Sequence, residues 1–139
     1  MDLSSLDTRQ AAEAGVKVDL AHPVTGEPVL DSEGSQQWIR AYGADSQQYQ
    51  QARYAVIDKA TERRSRGGVQ AAKSSEIEAR GREIVARSVT EWSIELEGEC
   101  PECNLINVQK IFSRFPWIYE QVDAAINDRG AALGNLPTS

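Results

Sequence analysis

A pair of cysteines is the clearest candidate for chemistry in this sequence. Cys100-Pro101-Glu102-Cys103 has the two-residue spacing found in metal-binding and in dithiol redox pairs. A structural zinc ion needs four ligands, and His22, the sole histidine, is the one other candidate within the chain. Two chains could instead share an ion through four thiolates. The sequence favours a third interpretation, a turn with reduced thiols, and we predict no metal and no cofactor.

Two charged segments are the next candidates for binding. An acidic run surrounds the cysteine pair, at Glu95, Glu97, Glu99 and Glu102, but it lacks the spacing of a calcium loop, which favours a solvated loop. The basic stretch 63–68 could contact phosphates, or could complement the C-terminal end of a helix. Because the formal net charge is −6, long-range electrostatics disfavours nucleic acid, and we predict no nucleic-acid partner.

The sequence contains few of the features expected of an enzyme or of a membrane protein. No serine lies in a G-x-S-x-G turn, and no phosphate-binding glycine loop occurs. We therefore predict that the protein is not an enzyme and has no catalytic residue. No apolar run approaches the roughly 20 residues that span a bilayer. The N-terminus has neither a basic start nor an apolar core, so we expect a cytoplasmic protein without a membrane partner.

Periodicity divides the chain into a β part and a helical part. Alternation at 16–20 and 38–42 predicts strands, so residues 16–43 are expected to form a small antiparallel sheet. Residues 45–130 show helical spacing and predict a bundle of about four α-helices. We therefore expect a single α+β domain over 16–130, with the N-terminal sheet packed on the C-terminal bundle. Residues 1–15 are expected to be a flexible arm or a weak short helix, and 131–139 a frayed tail.

Particular residues set the expected ends of the helices. Asp45, with Gln48 three residues later, predicts the start of a helix that ends near residue 64. Apolar spacing in this helix includes Ile57, and a second helix has a face that runs from Ile77 to Trp92. An extended link, or a short strand, follows at 92–96. Gly130 is the expected C-cap of the last helix.

A cluster of large apolar side chains surrounds Pro116. Because the residue before a proline disfavours helical geometry, the chain must bend there. The cluster forms either a core elbow or an exposed groove for an apolar helix. The candidate partner-binding residues are Phe112, Phe115, Trp117, Ile118 and Tyr119.

The run from Phe112 to Arg129 resembles the C-terminal signature of the tail assembly chaperones of tailed phages. The elements before it fit the same family: a helix that opens near Asp45, a helix that ends in Trp92, and a capped helix that carries Asn107. The resemblance covers about residues 36–130. The cysteine pair departs from the family, as does the segment 130–133, where an aromatic residue is expected.

This resemblance implies a helper of phage assembly in the host cytoplasm. Such proteins bind the long tape-measure protein, keep it soluble, and leave as tail-tube subunits polymerise around it. They are absent from the mature virion. The uneven charge of this chain, with a mildly positive middle between negative ends, permits head-to-tail self-association, so we also expect a homo-oligomer. The alternative function is that of a structural or tail-completion protein of the phage particle.

Overall fold

The computed structural model describes residues 2–67 and 74–133, which form a three-stranded antiparallel sheet and six α-helices. This arrangement confirms the predicted α+β class. A short 3-10 helix, Leu3–Leu6, precedes the regular elements. The strands are β1 (Val16–Asp19), β2 (Trp38–Ala41) and β3 (Val89–Ser93). The helices are α1 (Thr8–Glu13), α2 (Gln47–Gly67), α3 (Ser74–Ser88), α4 (Leu105–Arg114), α5 (Pro116–Ile126) and α6 (Arg129–Leu133).

The sheet joins strands from both halves of the chain. In the register of the sheet, Ile39 of the central strand β2 lies opposite Val18 of β1 and opposite Trp92 of β3. The second predicted helix therefore ends at Ser88, not at Trp92. Apolar residues of this segment fit both the helical and the strand period. This segment forms a strand because it pairs with β2. The pairing provides hydrogen-bond partners for backbone N–H and C=O groups of β2 that would otherwise lie at an exposed sheet edge.

Residues 8–13 form a packed helix where a flexible arm was the first expectation. Asp7 caps α1 by accepting the backbone N–H of Gln10 at 3.0 Å, and Ala11 and Ala12 are buried. A Cβ atom on Gly43 would lie 2.8 Å from the Cβ of Ala12, so the glycine is needed for this close approach. Helix α1 packs against α6 and is part of the fold.

Two helix ends differ from the prediction by a small shift. Ser46 caps α2, because its Oγ accepts the backbone N–H of Tyr49 at 3.0 Å, whereas Asp45 pairs with Arg129. At the other end of the chain, Asn127 is the C-cap of α5, and Gly130 lies inside α6. Helix α6 continues to Leu133, so the first residues of the expected frayed tail are helical; residues 134–139 lie outside the described part.

The core lies between the inner face of the sheet and the helices α3, α4 and α5. Its largest fully buried side chains are apolar and come from both parts of the sequence: Leu20, Ile39, Val85, Val108, Phe112 and Val122. Since these side chains interlock across the sheet and the helices, the β part and the helical part form one hydrophobic core.

Helices α2 and α3 pack against each other as a helical hairpin, defined here as residues 47–67 and 74–88. Helix α2 alone is about 31 Å long, at 1.5 Å per residue. Val56 is buried and Ala52 and Ala60 are half-buried, while the other side chains described between residues 51 and 62 are exposed. Residues 74–79 of α3 are exposed as well. The distal half of the hairpin therefore stands away from the core.

Candidate functional site

The predicted bend at Pro116 is present and joins α4 to α5. Asn104 caps α4 by accepting the backbone N–H of Asn107 at 2.9 Å. Phe115 leaves the helical region, with φ −125° and ψ 77°, as expected before a proline. Pro116 then occupies the first turn of α5, where its missing N–H costs no intrahelical hydrogen bond. We call this α4–Pro116–α5 segment the elbow.

The elbow divides the five predicted partner-binding residues into two groups. Phe112 and Ile118 are core side chains, with 1% and 4% of their surface exposed. Phe115, Trp117 and Tyr119 are half-buried at the rim of the core. In the conformation described, a partner cannot reach the first two without opening the core. The exposed parts of the other three remain candidates for contact.

Aromatic contacts fix the rim residues in place. The rings of Phe115 and Trp117 meet edge to face with centroids 6.3 Å apart, and those of Phe112 and Tyr119 are 5.6 Å apart. The guanidinium of Arg114 lies 5.3 Å from the centre of the Phe115 ring. Such contacts contribute beyond the area that they bury. The rim side chains are therefore ordered by the fold as well as partly accessible.

Tyr119 also connects the elbow to the hairpin. A Cβ atom on Gly81 of α3 would lie 3.4 Å from the Tyr119 hydroxyl, so this phenol lies against α3 at the glycine. Burial raises the pKa of Tyr119 and of Tyr49, with the nearby Asp123 carboxylate adding to both shifts. Both phenols consequently stay protonated at neutral pH, so neither phenol can act as a general base there.

The hairpin exposes apolar side chains, and the helical spacing had placed two of them, Ile57 and Ile77, on the inner faces of their helices. Tyr54 is 60% exposed, Ile57 42% and Ile77 58%. On α2, the covered side is the one that carries Ala52, Val56 and Ala60, so Tyr54 and Ile57 lie on another side of the helix. We call Tyr54, Ile57 and Ile77 the hairpin apolar residues. The helical spacing gave no sign that the distal part of the hairpin would remain uncovered.

The cysteine pair lies in an ordered turn between β3 and α4. Cys100 is exposed, Cys103 is half-buried, and both are free thiols. The indole N–H of Trp92 donates to the carbonyl of Pro101 at 2.8 Å, and the Asn107 amide donates to the carbonyl of Glu102 at 2.8 Å. Burial raises the pKa of Cys103, and the neighbouring Glu91 carboxylate raises it further, so this thiol is not activated.

His22 does not complete a metal site with the cysteines. Its Nδ1 accepts the backbone N–H groups of Val24 and Thr25, at 3.1 and 3.2 Å, and so organises its own exposed turn. Within residues 2–67 and 74–133, no group of three or more His, Cys, Asp and Glu side chains is arranged to hold a metal ion. One chain therefore offers the two thiols and no third ligand in the part described.

The acidic run makes local contacts with the rest of the body. The Glu95 carboxylate accepts the hydroxyl of Ser32 at 2.7 Å, and Glu97 pairs with Arg114 at 3.4 Å. These contacts are exposed and hold loops together. The basic stretch 63–68, for which phosphate contact and a helix C-terminus were the two alternatives, has its side chains outside the described part.

A small cavity of about 120 Å³ lies where α1, α6 and the start of α2 meet. Thr8, Asp45, Asn127 and Arg129 contribute its polar lining. Arg129 donates to both oxygens of Asp45, at 2.7 and 3.0 Å. These hydrogen bonds, with one from the Thr8 side chain, lower the pKa of Asp45. Because Arg129 and Thr8 both engage the Asp45 carboxylate, the polar groups of the cavity are explained by the joining of three helices.

Comparisons with known proteins assign this chain to no family. In the described ranges, no helix combines the length and apolar character needed to cross a bilayer. No family model matches the chain, and neither the curated proteins nor the solved structures include a significant match to it.

Proposed function

We propose that this protein is a tail assembly chaperone of a tailed phage, which binds the tape-measure protein and keeps it soluble while tail-tube subunits assemble. The observation that carries the proposal is the run from Phe112 to Arg129, which resembles the C-terminal signature of that family. In this chain the run spans the elbow and the start of α6. On this proposal the protein acts in the host cytoplasm, by binding and without turnover, and is absent from the mature virion.

The hairpin apolar residues support a binding function on physical grounds. A tape-measure protein is a long, largely helical chain with apolar stripes, and it would aggregate if left uncovered. Tyr54, Ile57 and Ile77 expose apolar area on two helices, the kind of surface that an amphipathic helix can cover. The small size of each contact suits a chaperone that must be displaced later, because many weak contacts from repeated copies can still cover a long chain.

Two surfaces can therefore contact the partner on this proposal: the elbow rim, formed by Phe115, Trp117 and Tyr119, and the hairpin apolar residues. They differ in what a substitution would do. Rim side chains pack on the core, so their loss weakens the fold as well as binding. The hairpin apolar residues lie outside the core and are 42–60% exposed, so their loss should reduce binding while the fold stays intact.

Co-expression tests the proposal. The partner is the large helical protein encoded downstream of this chain in its own genome, expressed alone and together with the chaperone candidate. We expect it to be insoluble alone, and soluble and co-purified with several copies of this chain when the two are made together. A triple variant Tyr54→Gln, Ile57→Gln, Ile77→Gln should reduce the soluble fraction several-fold.

The matched control is Val24→Gln with Leu30→Gln, which removes exposed apolar side chains from the loops beside the sheet. It should solubilise the partner as the unsubstituted chain does. A partner that stays insoluble in every co-expression would contradict the chaperone function. Mass spectrometry of purified virions then decides the alternative, because a structural or tail-completion protein would be present in stoichiometric amount.

A further inference from the structure

The turn between β3 and α4 carries two thiols that the proposed chaperone function does not use. Soft thiolate ligands select zinc-class ions, and a cysteine pair spaced by two residues can place both sulfurs on one ion. A structural site of this kind is tetrahedral and needs four ligands. The described residues of one chain provide Cys100 and Cys103 and no third partner.

We infer that Cys100 and Cys103 from two copies of this chain together bind one zinc-class divalent ion, as a tetrathiolate site on a two-fold axis. A two-fold interface uses the same patch of both copies, so two ligands from each copy complete the tetrahedron without any other residue. Formation of the site is a proton exchange: four thiols and one M²⁺ give M(SR)₄²⁻ and four protons. No oxidant or reductant takes part.

The turn is already held in shape without using its sulfur atoms. The Pro101 and Glu102 carbonyls, between the two cysteines, accept hydrogen bonds from Trp92 and Asn107 at 2.8 Å each. Since the backbone between the ligands is fixed, less ordering remains to be done when an ion binds. Both thiols are free and at least partly accessible, Cys100 being exposed.

The surroundings of the turn fit an interface that depends on a cation. Ile106, one helical turn beyond Cys103 on α4, is 65% exposed and offers apolar area beside the proposed axis. Glu99 and Glu102 are exposed in the same segment, so two copies approaching through this face bring like charges together. Without the ion nothing offsets this repulsion, so the dimer depends on the four metal–sulfur bonds, which must also outweigh the negative charge of the tetrathiolate centre.

Cobalt titration of the untagged full-length chain, kept reduced with a phosphine, tests this inference. We expect an end point of one Co²⁺ for every two chains, with the visible spectrum of a tetrathiolate complex. Light scattering should show conversion from smaller species to dimers or to assemblies built from dimers, and EDTA should reverse it. Cys100→Ser and Cys103→Ser should each abolish the end point, and His22→Gln should leave it unchanged.

Several outcomes would overturn the shared site. These are one ion bound per chain, no binding at micromolar cobalt, loss of binding in His22→Gln, or binding that survives the double substitution Cys100→Ser, Cys103→Ser. If the serine variants fail to fold, the unsubstituted chain still decides the question. One zinc ion per two chains should then protect both thiols from iodoacetamide, and thiols that remain reactive refute the inference. The result is independent of whether the chain binds a tape-measure protein.

Discussion

The elbow and the hairpin place similar apolar side chains in opposite surroundings. In the elbow, Phe112 and Ile118 are buried and the rim aromatics pack against the core. On the hairpin, Tyr54 and Ile77 are more than half exposed, although they too belong to regular helices. The difference arises because α5 lies on the sheet and α4 packs against α3 and α5, whereas α2 packs mainly on α3.

This difference separates stability from recognition. A buried side chain contributes to folding roughly in proportion to the apolar area that it removes from water, about 25 cal/mol per Å². Exposed apolar side chains contribute little to folding but keep that area available for a partner. The comparison therefore predicts that substitutions in the elbow act on stability first, and that those on the hairpin act on binding alone.

The largest effect is expected from Phe112→Ala. Phe112 is 1% exposed, and truncation removes a buried ring and leaves a cavity, so we expect a loss of about 3–5 kcal/mol in the free energy of unfolding. Urea denaturation followed by circular dichroism measures it. Ile106→Ala, on the exposed side of the same helix, is the control and should change stability by less than about 0.5 kcal/mol. If the two variants lose similar free energies of unfolding, the two sides of α4 do not differ in burial as described.

A smaller loss is expected where α1 meets the start of the helical part. Gly43→Ala would place a Cβ atom 2.8 Å from the Cβ and 3.0 Å from the Cα of Ala12. Since backbone must move, we expect a cost of about 1–3 kcal/mol. In a double-mutant cycle, Ala12→Gly should recover part of it by removing the closer atom. An unchanged unfolding midpoint in Gly43→Ala would mean that α1 is loosely attached.

Local sequence patterns predicted which segments form strands and helices, but not which of their apolar side chains are buried. Alternation at Val16 and Val18 and helical spacing at Val108 and Phe112 predicted strand and helix, and burial agrees at these positions. Ile57 and Ile77 follow the helical spacing equally well, yet are exposed. The period tells which residues share one side of a helix, whereas burial depends on which other elements pack against that side. The cluster at the bend was predicted as a set, but its division into core and rim depends on packing.

Long-range partners also decided details that local sequence left open. Asp45 and Ser46 are both good caps, and Arg129, 84 residues from Asp45, engages the aspartate while the serine caps α2. Trp92 fits either a helix or a strand, and pairing with Ile39 makes it part of β3. The close contact of Gly43 with Ala12 has no local signature, so the packing of α1 could not be foreseen.

The ion pair at the base of the hairpin gives a pH-dependent prediction of smaller size. Arg129 lowers the pKa of Asp45, so the folded state binds a proton less readily than the unfolded chain. The stabilisation is therefore fully present above the unfolded pKa of about 3.9 and is lost as pH falls through the lower folded pKa. Because the Arg129 side chain is 72% exposed and water screens the pair, Asp45→Asn should cost only about 0.2–1 kcal/mol near pH 7.

A pH series of denaturation curves measures this effect. The difference between the unsubstituted chain and Asp45→Asn should shrink progressively below about pH 4, and added salt should reduce it at neutral pH. Asp58→Asn, an exposed carboxylate on the hairpin, is the matched control and should follow the unsubstituted chain throughout. If the difference in the free energy of unfolding grows as the pH falls, folding does not lower the pKa of Asp45 and the prediction is wrong.

The smallest effect on stability is expected from the hairpin itself. In Tyr54→Gln with Ile57→Gln, each new residue has at least the helix propensity of the one it replaces, and both replaced side chains lie outside the core, 60% and 42% exposed. The free energy of unfolding should therefore change by no more than about 0.5 kcal/mol, as measured by urea denaturation.

A loss of about 2 kcal/mol or more, which is typical of a buried apolar side chain, would contradict this expectation. It would show that these residues are covered in solution, either by a second copy or by the chain itself. Dilution separates these two, since stability that depends on protein concentration identifies the second copy. If stability is unchanged, any fall in the binding of a partner reports on the surface directly, because the fold that presents it is intact.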